Sequence, residues 1–480
     1  MTEVNPADRT AASTEPAGGR TNLARALTTR HIQFIALGTS IGTGLFMGSS
    51  GAIQLAGPAV LLAYLAAGIA VFMVMRALGE MALREPMAIG SISRYAHEYL
   101  SPQIGFMVGW LFIIELLVVA MADVTAFAAY LERWFPGVPL WVWIVAAIAS
   151  VTLLNMVHVK VFGETEFWLS LIKVVAVIAM IVAGVAIMLF QFGMPAGETA
   201  GVHHLWEHGG FMPHGPMGVL LSLTIVVFAF GGIETLAVAS MEAEDPERAV
   251  PRAINTIPWR ILIFYLGSVG VLLCLAPWDS IDGSTSSFVQ IFDTIGLPGA
   301  ADVLNFIVIS AAFSGLNAVT FSIGRMLHGL AELGDAPRSF ARTSGRGTPV
   351  MAILMVAVAV SFVLVLNQLI PEDMFAAIAS VASFAVVFTW LMFLLSHISM
   401  RRRIARGELE PGTFNSPAGM IGSICAAVFV LVLLVMLAIE PQSQMAVMVG
   451  GVTTVILLAL GFVVRGMRGR RLANDSRCAD

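Results

Sequence analysis

The chain has 480 residues, of which 58% are hydrophobic and 12% are charged, and its mean hydropathy is +0.87. Soluble domains carry about 25% charged residues, so this composition excludes a soluble globular protein. The formal net charge of -5 leaves no basic surplus that would indicate a nucleic acid as a partner.

Residues 1–30 precede the first apolar stretch and are rich in Thr, Ala, Pro, Gly and charged side chains. This composition predicts a disordered tail rather than a cleavable signal sequence. The Arg- and Gly-rich segment that follows Val464 is interpreted in the same way.

Twelve stretches between these ends are long and apolar enough to cross a bilayer, which takes about 20 residues in a helix. The sequence therefore predicts an all-α polytopic membrane protein. We number the stretches as spans 1 to 12, and they are predicted at 32–53, 58–83, 103–131, 139–158, 165–191, 217–242, 258–277, 300–330, 349–368, 373–397, 418–439 and 445–465.

The distribution of Lys and Arg predicts the orientation of these spans. With the N-terminus inside, the inner loops and both tails receive nearly all of the positive charge, and the outer loops contain only Arg133. Positively charged loops are retained on the cytoplasmic side of a membrane. We therefore expect both termini in the cytoplasm.

Glycines interrupt spans 1 and 6. Span 1 contains Gly38, Gly42 and Gly44, and span 6 contains Gly231 and Gly232. A helix broken at membrane depth is tolerated where it lines a protected cavity, and equivalent breaks in two halves of a chain indicate a substrate site between them. A break offers N–H groups to a carboxylate and carbonyl groups to an ammonium group, which suits an amino acid. Close helix packing through small residues is the alternative.

Ionisable residues inside spans are costly and are therefore functional candidates. Glu115 and Asp123 are eight residues apart in span 3, where either one lines the pathway or pairs with a neighbouring helix. Lys173, one of two lysines in the chain, and Glu234 are the leading candidates for proton exchange. A static buried ion pair is the alternative interpretation of these two.

Other polar features predict structural roles. Arg76 and Glu80 lie near the inner end of span 2, where a long side chain can reach the interface. Four histidines in the loop between spans 5 and 6 predict a solvated loop rather than a metal site, with sensing of external pH as a further interpretation. They are His203, His204, His208 and His214.

No sequence motif indicates an enzyme or a cofactor. The chain has no HExxH motif and no glycine-rich phosphate loop, and its three cysteines are too far apart for a metal or redox motif. An ion channel would favour rings of like side chains along a pore, whereas the charges inside these spans are isolated. We therefore expect a transporter without a cofactor or a bound metal.

Several segments are specific enough to indicate a family. They are 41–46, 57–64, 75–81, 161–168, 244–255 and 324–337, together with 122–127 and 228–234. These segments resemble bacterial amino acid permeases of the amino acid transporter family, in the amino acid–polyamine–organocation superfamily. The last two are most similar to the branch that holds proline-specific and histidine permeases.

The resemblance implies a five-plus-five inverted repeat in a transporter domain over 31–466. The repeats would cover about 31–192 and 216–398, followed by two extra helices within 418–465 and a cytoplasmic tail at 467–480. It also implies secondary active import of an amino acid across the bacterial inner membrane, by proton symport with alternating access. The expected partners are this substrate, protons and the lipid bilayer.

The expected substrate is a neutral amino acid, or histidine or proline. The alternatives are an amino acid exchanger and a permease for GABA or aromatic amino acids. By position, amide groups around Thr43 and Gly44 would hold the substrate carboxylate, and Phe228 would act as an aromatic lid. The substrate-binding residues implied in this way are Ser40, Ile41, Gly42, Thr43, Gly44, Phe228, Gly231 and Gly232. The residues implied in proton coupling or gating are Glu115, Lys173 and Glu234.

Overall fold

The structure is a computed structural model, and it describes nine ranges of the chain. They are residues 29–39, 41–84, 93–157, 159–191, 199–236, 245–281, 286–295, 299–369 and 374–477. Regular structure in these ranges is helical throughout, which confirms the predicted all-α class. Most of the predicted N-terminal tail and the predicted site residue Ser40 lie outside the described residues.

Every predicted span has a helix in the described ranges. In the part of the chain that the structure describes, nine helices are long and apolar enough to cross a membrane by length and composition, and Leu140–Met156 and Gly215–Phe230 are shorter apolar helices. One of the nine, Thr43–Arg84, contains both the outer half of span 1 and all of span 2. We call the face that carries Thr29 the inner face and the opposite face the outer face, following the predicted orientation.

The first five spans and the next five form two successive groups. Span 1 consists of Thr29–Thr39, Thr43–Phe46 and Gly48–Ala56, and spans 2 to 5 are Val60–Arg84, Pro102–Glu132, Leu140–Met156 and Val159–Phe190. Span 6 consists of Gly215–Val226 and Val227–Phe230, and span 7 of Pro246–Asn255, Ile257–Arg260, Ile261–Gly267 and Ser268–Leu275. Spans 8 to 12 are Ala300–Glu332, Val350–Ser361 with Val363–Leu369, Met374–Ala405, Gly419–Ile439 and Gln444–Arg477. Shorter helices in the connections are Gly57–Ala59, Ser93–Tyr99, Val202–Leu205, Trp278–Ser280, Ser287–Ile295 and Arg338–Ala341.

Two boundaries differ clearly from the sequence prediction. The helical stretch of span 7 begins at Pro246, well before the predicted start at 258, because Asp245 caps it and its apolar residues are buried along one face only. A hydropathy window does not detect such an amphipathic helix. Span 12 continues to Arg477, so the expectation of a disordered segment after Val464 was wrong for most of that segment. Arg, Leu and Ala are good helix formers, and no proline interrupts them there.

The helix contacts join equivalent spans of the two groups of five. Span 3 packs against spans 8 and 10, and span 8 packs against spans 3 and 5. Span 8 is the counterpart of span 3 in the second half and span 10 is the counterpart of span 5, so each contact has its equivalent. Around this core, spans 4, 5, 9, 11 and 12 expose large apolar side chains, as a lipid-facing surface requires.

Spans 1 and 6 meet at their breaks. The outer half of span 1 packs against Gly215–Val226, while its inner half packs against span 5. A Cβ atom added at Gly44 would overlap the backbone of Ala229 and lie 2.9 Å from its nitrogen. Gly232 has a φ of +86°, which an L side chain rarely adopts. The two broken backbones can therefore come together only because residue 44 has no side chain.

This contact predicts that alanine destabilises the protein at Gly44 but not at Gly42. Gly44→Ala should lower the free energy of unfolding by about 1–3 kcal/mol, because the added methyl group meets backbone that cannot move aside. Gly42→Ala serves as the control, since a Cβ atom there would have no atom of another described residue within 4 Å, apart from its chain neighbours. The measurement is thermal unfolding of the purified protein in detergent. Equal melting temperatures for the two variants would contradict the close contact.

Candidate functional site

A cavity of about 40 Å³ lies where the breaks of spans 1 and 6 face spans 3, 5 and 8. We call it the central cavity. It combines backbone from the two breaks with small, apolar and ionisable side chains. Its lining residues are Gly38, Ile41, Gly42, Thr43, Gly44, Val119, Asp123, Glu166, Lys173, Phe228, Ala229, Gly231, Gly232, Thr235, Ser314, Gly315, Ala318 and Val319. Seven of the eight predicted substrate-binding residues are therefore here, and the eighth is Ser40.

The break in span 1 places the start of a helix at the cavity. Gly42 is extended, with φ -114° and ψ -175°, and the helix Thr43–Phe46 begins directly after it. The first N–H groups of a helix have no acceptor within that helix, and they lie at its positive end. This end of span 1 can therefore bind an anionic group such as a carboxylate.

The break in span 6 lies opposite the break in span 1, across the cavity. The chain tightens into the 3₁₀ helix Val227–Phe230 and then turns at Gly232. The Tyr265 hydroxyl donates to the Ala229 carbonyl oxygen at 2.9 Å, which holds this turn in place. Phe228 is buried and its ring meets the Phe375 ring edge-on, with 5.8 Å between their centres.

Lys173 connects span 5 to the break in span 1. Its Nζ donates to the Gly38 carbonyl oxygen at 2.7 Å and to Ser314 Oγ at 3.0 Å. Ser314 in turn donates to Glu166, which also accepts from Asn317 Nδ2 at 3.0 Å. Lys173 and Glu166 are 1% and 0% exposed, so this hydrogen-bonded chain is shielded from lipid and from both faces.

Asp123 brings a second carboxylate to the cavity. Thr43 Oγ1 donates to Asp123 Oδ1 at 2.6 Å, which joins span 3 to the start of the broken helix. A Cβ atom at Gly315 would lie 3.0 Å from Asp123 Cγ, so the glycine leaves room for this carboxylate. The cavity thus holds one amine on span 5 and two carboxylates, one on span 3 and one on span 5.

Comparison with known proteins agrees with this arrangement. Residues 31–470 match the family model described as amino acid permease. The chain belongs to the amino acid permease family. It is therefore a multi-pass membrane transporter of this family and not an enzyme.

The similar curated proteins are named as permeases or transport proteins for amino acids, and the similarity covers nearly the whole length of each. The uncharacterized amino acid permease YtnA of Bacillus subtilis (strain 168) is 41% identical over 438 residues, which are 91% of this chain and 94% of YtnA. The aromatic amino acid transport protein AroP of Salmonella typhimurium (strain LT2) is 40% identical over 443 residues, 92% of this chain and 96% of that protein. AroP of Escherichia coli O6:H1 is 40% identical over 446 residues, with the same coverage.

The three residues predicted for proton coupling lie in two separate groups in the permease. Lys173 lines the central cavity, whereas Glu115 and Glu234 do not. Glu234 accepts a hydrogen bond from Trp390 Nε1 and interacts electrostatically with Glu115. Both carboxyl groups are completely buried.

Glu80 ties the inner ends of several spans together, away from the cavity. It accepts from His397 Nε2 at 3.0 Å, from Arg401 Nη2 at 2.8 Å and from the Ser416 amide at 2.7 Å. Arg76 donates to Asn255 Oδ1 at 2.7 Å. These contacts join span 2 to spans 7 and 10 and to the loop before span 11, which agrees with the structural role expected from the sequence.

The outer histidines do not form one cluster. His208 Nδ1 lies 2.9 Å from Asp279, and His214 Nδ1 lies 3.0 Å from the Leu55 carbonyl oxygen. His203, His204 and Glu207 bring one ligand atom each within 4.8 Å of one another. Burial lowers the pKa of His204, which favours the neutral imidazole.

Sequence reasoning missed two groups that the structure places in the cavity. Glu166 lies seven residues before Lys173, which puts both on one face of span 5, so the helical spacing could have shown it. Ser314 carries no such signal, because its role depends on how span 8 packs against span 5. For Asp123 the sequence leaves open whether it lines the pathway or pairs with a neighbouring helix, and the structure places it in the cavity wall.

The contact between Thr43 and Asp123 predicts a pair of outcomes. Thr43→Val should lower the free energy of unfolding by about 1–3 kcal/mol, because it leaves a buried carboxyl group without its donor. Thr43→Ser keeps the hydroxyl group and should retain most of the stability. Melting temperatures of the purified variants test this. If valine and serine have the same effect, the hydrogen bond does not stabilise the site.

Proposed function

We propose that the protein imports an amino acid across the bacterial inner membrane by proton symport, with both termini in the cytoplasm. The observation that supports this most directly is the position of Lys173. A buried amine that can gain or lose a proton donates to Gly38, immediately before the break that lines the central cavity. Protonation of Lys173 and the shape of the substrate site therefore both depend on the hydrogen bond between the Lys173 amine and the Gly38 carbonyl group.

The substrate would bind across the two breaks. Its carboxylate would accept from the amides of Thr43 and Gly44 at the positive end of the helix, and its ammonium group would donate to carbonyl oxygens near Phe228 and Gly231. Ile41, Gly42 and Gly232 would shape the backbone of the site. The apolar side chains of Val119, Ala318 and Val319 leave a wall that suits a neutral side chain.

Proton release would free the inner half of span 1. In the protonated form Lys173 binds the Gly38 carbonyl group and faces the carboxyl groups of Glu166 and Asp123. A neutral amine donates more weakly, so this connection between spans 1 and 5 would loosen. At the inner face Arg30 and His31 also contact Glu164, at 2.5 and 2.9 Å, and these contacts would open with the movement.

The second carboxyl pair would act as the gating group of span 6. Glu234 follows the turn at Gly232, and Trp390 holds it against span 10. Two buried carboxyl groups cannot both be charged at low cost when they interact with each other. Glu115 and Glu234 would therefore share a proton. Gain or loss of that proton would move span 6 relative to spans 3 and 10.

Aromatic amino acids are the first substrates to test. Two curated relatives with 40% identity are named aromatic amino acid transport proteins, and they align with more than nine-tenths of this chain. The apolar wall of the central cavity is compatible with such side chains. Proline, histidine and the smaller neutral amino acids complete the competition panel.

Symport predicts accumulation driven by a pH difference in proteoliposomes. With labelled phenylalanine and an acidic outside, one proton per substrate would sustain about tenfold accumulation for each pH unit. The control is the same vesicles with equal pH and no internal substrate, which should only equilibrate. Accumulation that ignores the pH difference and needs internal amino acid would instead show an exchanger.

Lys173→Ala should abolish accumulation driven by the pH difference and leave substrate binding measurable, because the backbone site remains. Lys160→Ala is the matched control, since Lys160 is the other lysine of the chain and lies exposed on the same span. The measurements are uptake in proteoliposomes and binding of labelled substrate in detergent. Normal concentrative uptake by Lys173→Ala would refute its assignment.

A further inference from the structure

A second cavity, of about 130 Å³, lies on the outer side of Phe228. We call it the outer vestibule. It is formed by the outer halves of spans 1, 6 and 10 and by the turn between spans 11 and 12, and the residues used below are Thr224, Phe228, Phe375, Ser380, Glu440 and Ser443. Phe228 borders both cavities, and Phe375, whose ring it meets edge-on, borders the vestibule.

Glu440 places a carboxylate in the wall of this vestibule. The residue is 7% exposed, and its Oε2 accepts from Thr224 Oγ1 at 2.7 Å and from Ser443 Oγ at 2.8 Å. In the described part of the chain, Oε1 makes no hydrogen bond and no Lys, Arg or His side chain forms an ion pair with Glu440. A largely buried carboxylate without a cation is costly, so its position indicates a cation that binds there.

The two hydroxyl groups hold the carboxylate in one orientation. Thr224 belongs to span 6 and Ser443 to the turn before span 12, so the carboxylate is fixed from two sides by donors of different elements. Both donors bind the same oxygen, which leaves the other oxygen for a ligand. The remaining wall is mixed, with the Ser380 hydroxyl group beside the Phe375 and Phe228 rings.

We propose that the outer vestibule is a first binding site for the amino acid substrate, in which Glu440 receives the α-ammonium group. The proposal rests on the proposed direction of transport. An ammonium group supplies three donors to Glu440 and its neighbours, and the two phenylalanine rings offer an apolar surface to the side chain. The substrate then passes to the central cavity when the Phe228 and Phe375 rings separate.

The two cavities differ in the charged end of the substrate that each would bind first, although the central cavity would also accept the ammonium group at its carbonyl oxygens. The central cavity offers helix amides to a carboxylate, whereas the vestibule offers a carboxylate to an ammonium group. An amino acid methyl ester keeps the ammonium group and lacks the carboxylate, and a des-amino acid has the reverse composition. These two analogues therefore distinguish the vestibule from the central cavity.

The first test is uptake by Glu440→Gln. We expect the KM for uptake from outside to rise about tenfold, with the accumulation ratio at a given pH difference unchanged. Asp279→Asn is the matched control, because it removes one outer carboxylate that does not line the vestibule. A wild-type KM in Glu440→Gln would overturn the proposal, while loss of pH-driven accumulation in the unmodified protein would overturn symport instead.

The second test does not change Glu440. Ser380→Cys is introduced into a chain whose three cysteines are replaced by serine, and a membrane-impermeant thiol reagent is added from outside at low temperature. We expect phenylalanine methyl ester to slow the labelling of this cysteine and 3-phenylpropionate to have no effect. Ser280→Cys, on the outer face and outside the vestibule, should label at the same rate in all conditions.

Two outcomes of this labelling would overturn the proposal. Equal protection by sodium or tetramethylammonium would show a general cation site rather than an amino acid site. Protection by 3-phenylpropionate but not by the ester would show that the carboxylate end is recognised, as in the central cavity. Protection by the ester that is lost when Glu440→Gln is added would confirm the assigned partner.

Discussion

The contact between the broken backbones of spans 1 and 6 determines the geometry of the site. A broken helix exposes amide and carbonyl groups, which in lipid cost several kcal/mol each when they have no partner. Here each break faces the other, and Gly44 lets the two backbone segments approach until no side chain fits between them. The core of spans 3, 5, 8 and 10 surrounds this contact and keeps lipid away from it.

The buried charges are organised around this contact in two groups. Lys173, Asp123 and Glu166 lie in the central cavity, where the carboxyl groups offset the charge of the amine. Glu115 and Glu234 lie behind the turn of span 6 without a cation among the described residues. Lys173 and Asp123 contact span 1, and Glu234 directly follows the turn of span 6. Each broken helix therefore has its own group of ionisable residues.

The amino-acid sequence predicts most of this architecture, because its signals are local. Hydropathy locates the spans, and the glycines of 38–44 and 231–232 locate both breaks. It cannot predict that Ser314 connects Lys173 to Glu166, because this depends on the packing of two distant helices. The amphipathic start of span 7 was missed for a related reason, since its apolar face is balanced by charged residues.

The small volume of the central cavity has a consequence for measured affinities. The cavity measures about 40 Å³ in this conformation, so under the proposed function the amino acid would bind to a wider conformation of the ensemble. The apparent dissociation constant then equals the intrinsic constant divided by the population of that conformation. Substitutions that loosen the inner half of span 1 would therefore change apparent affinity without touching the substrate.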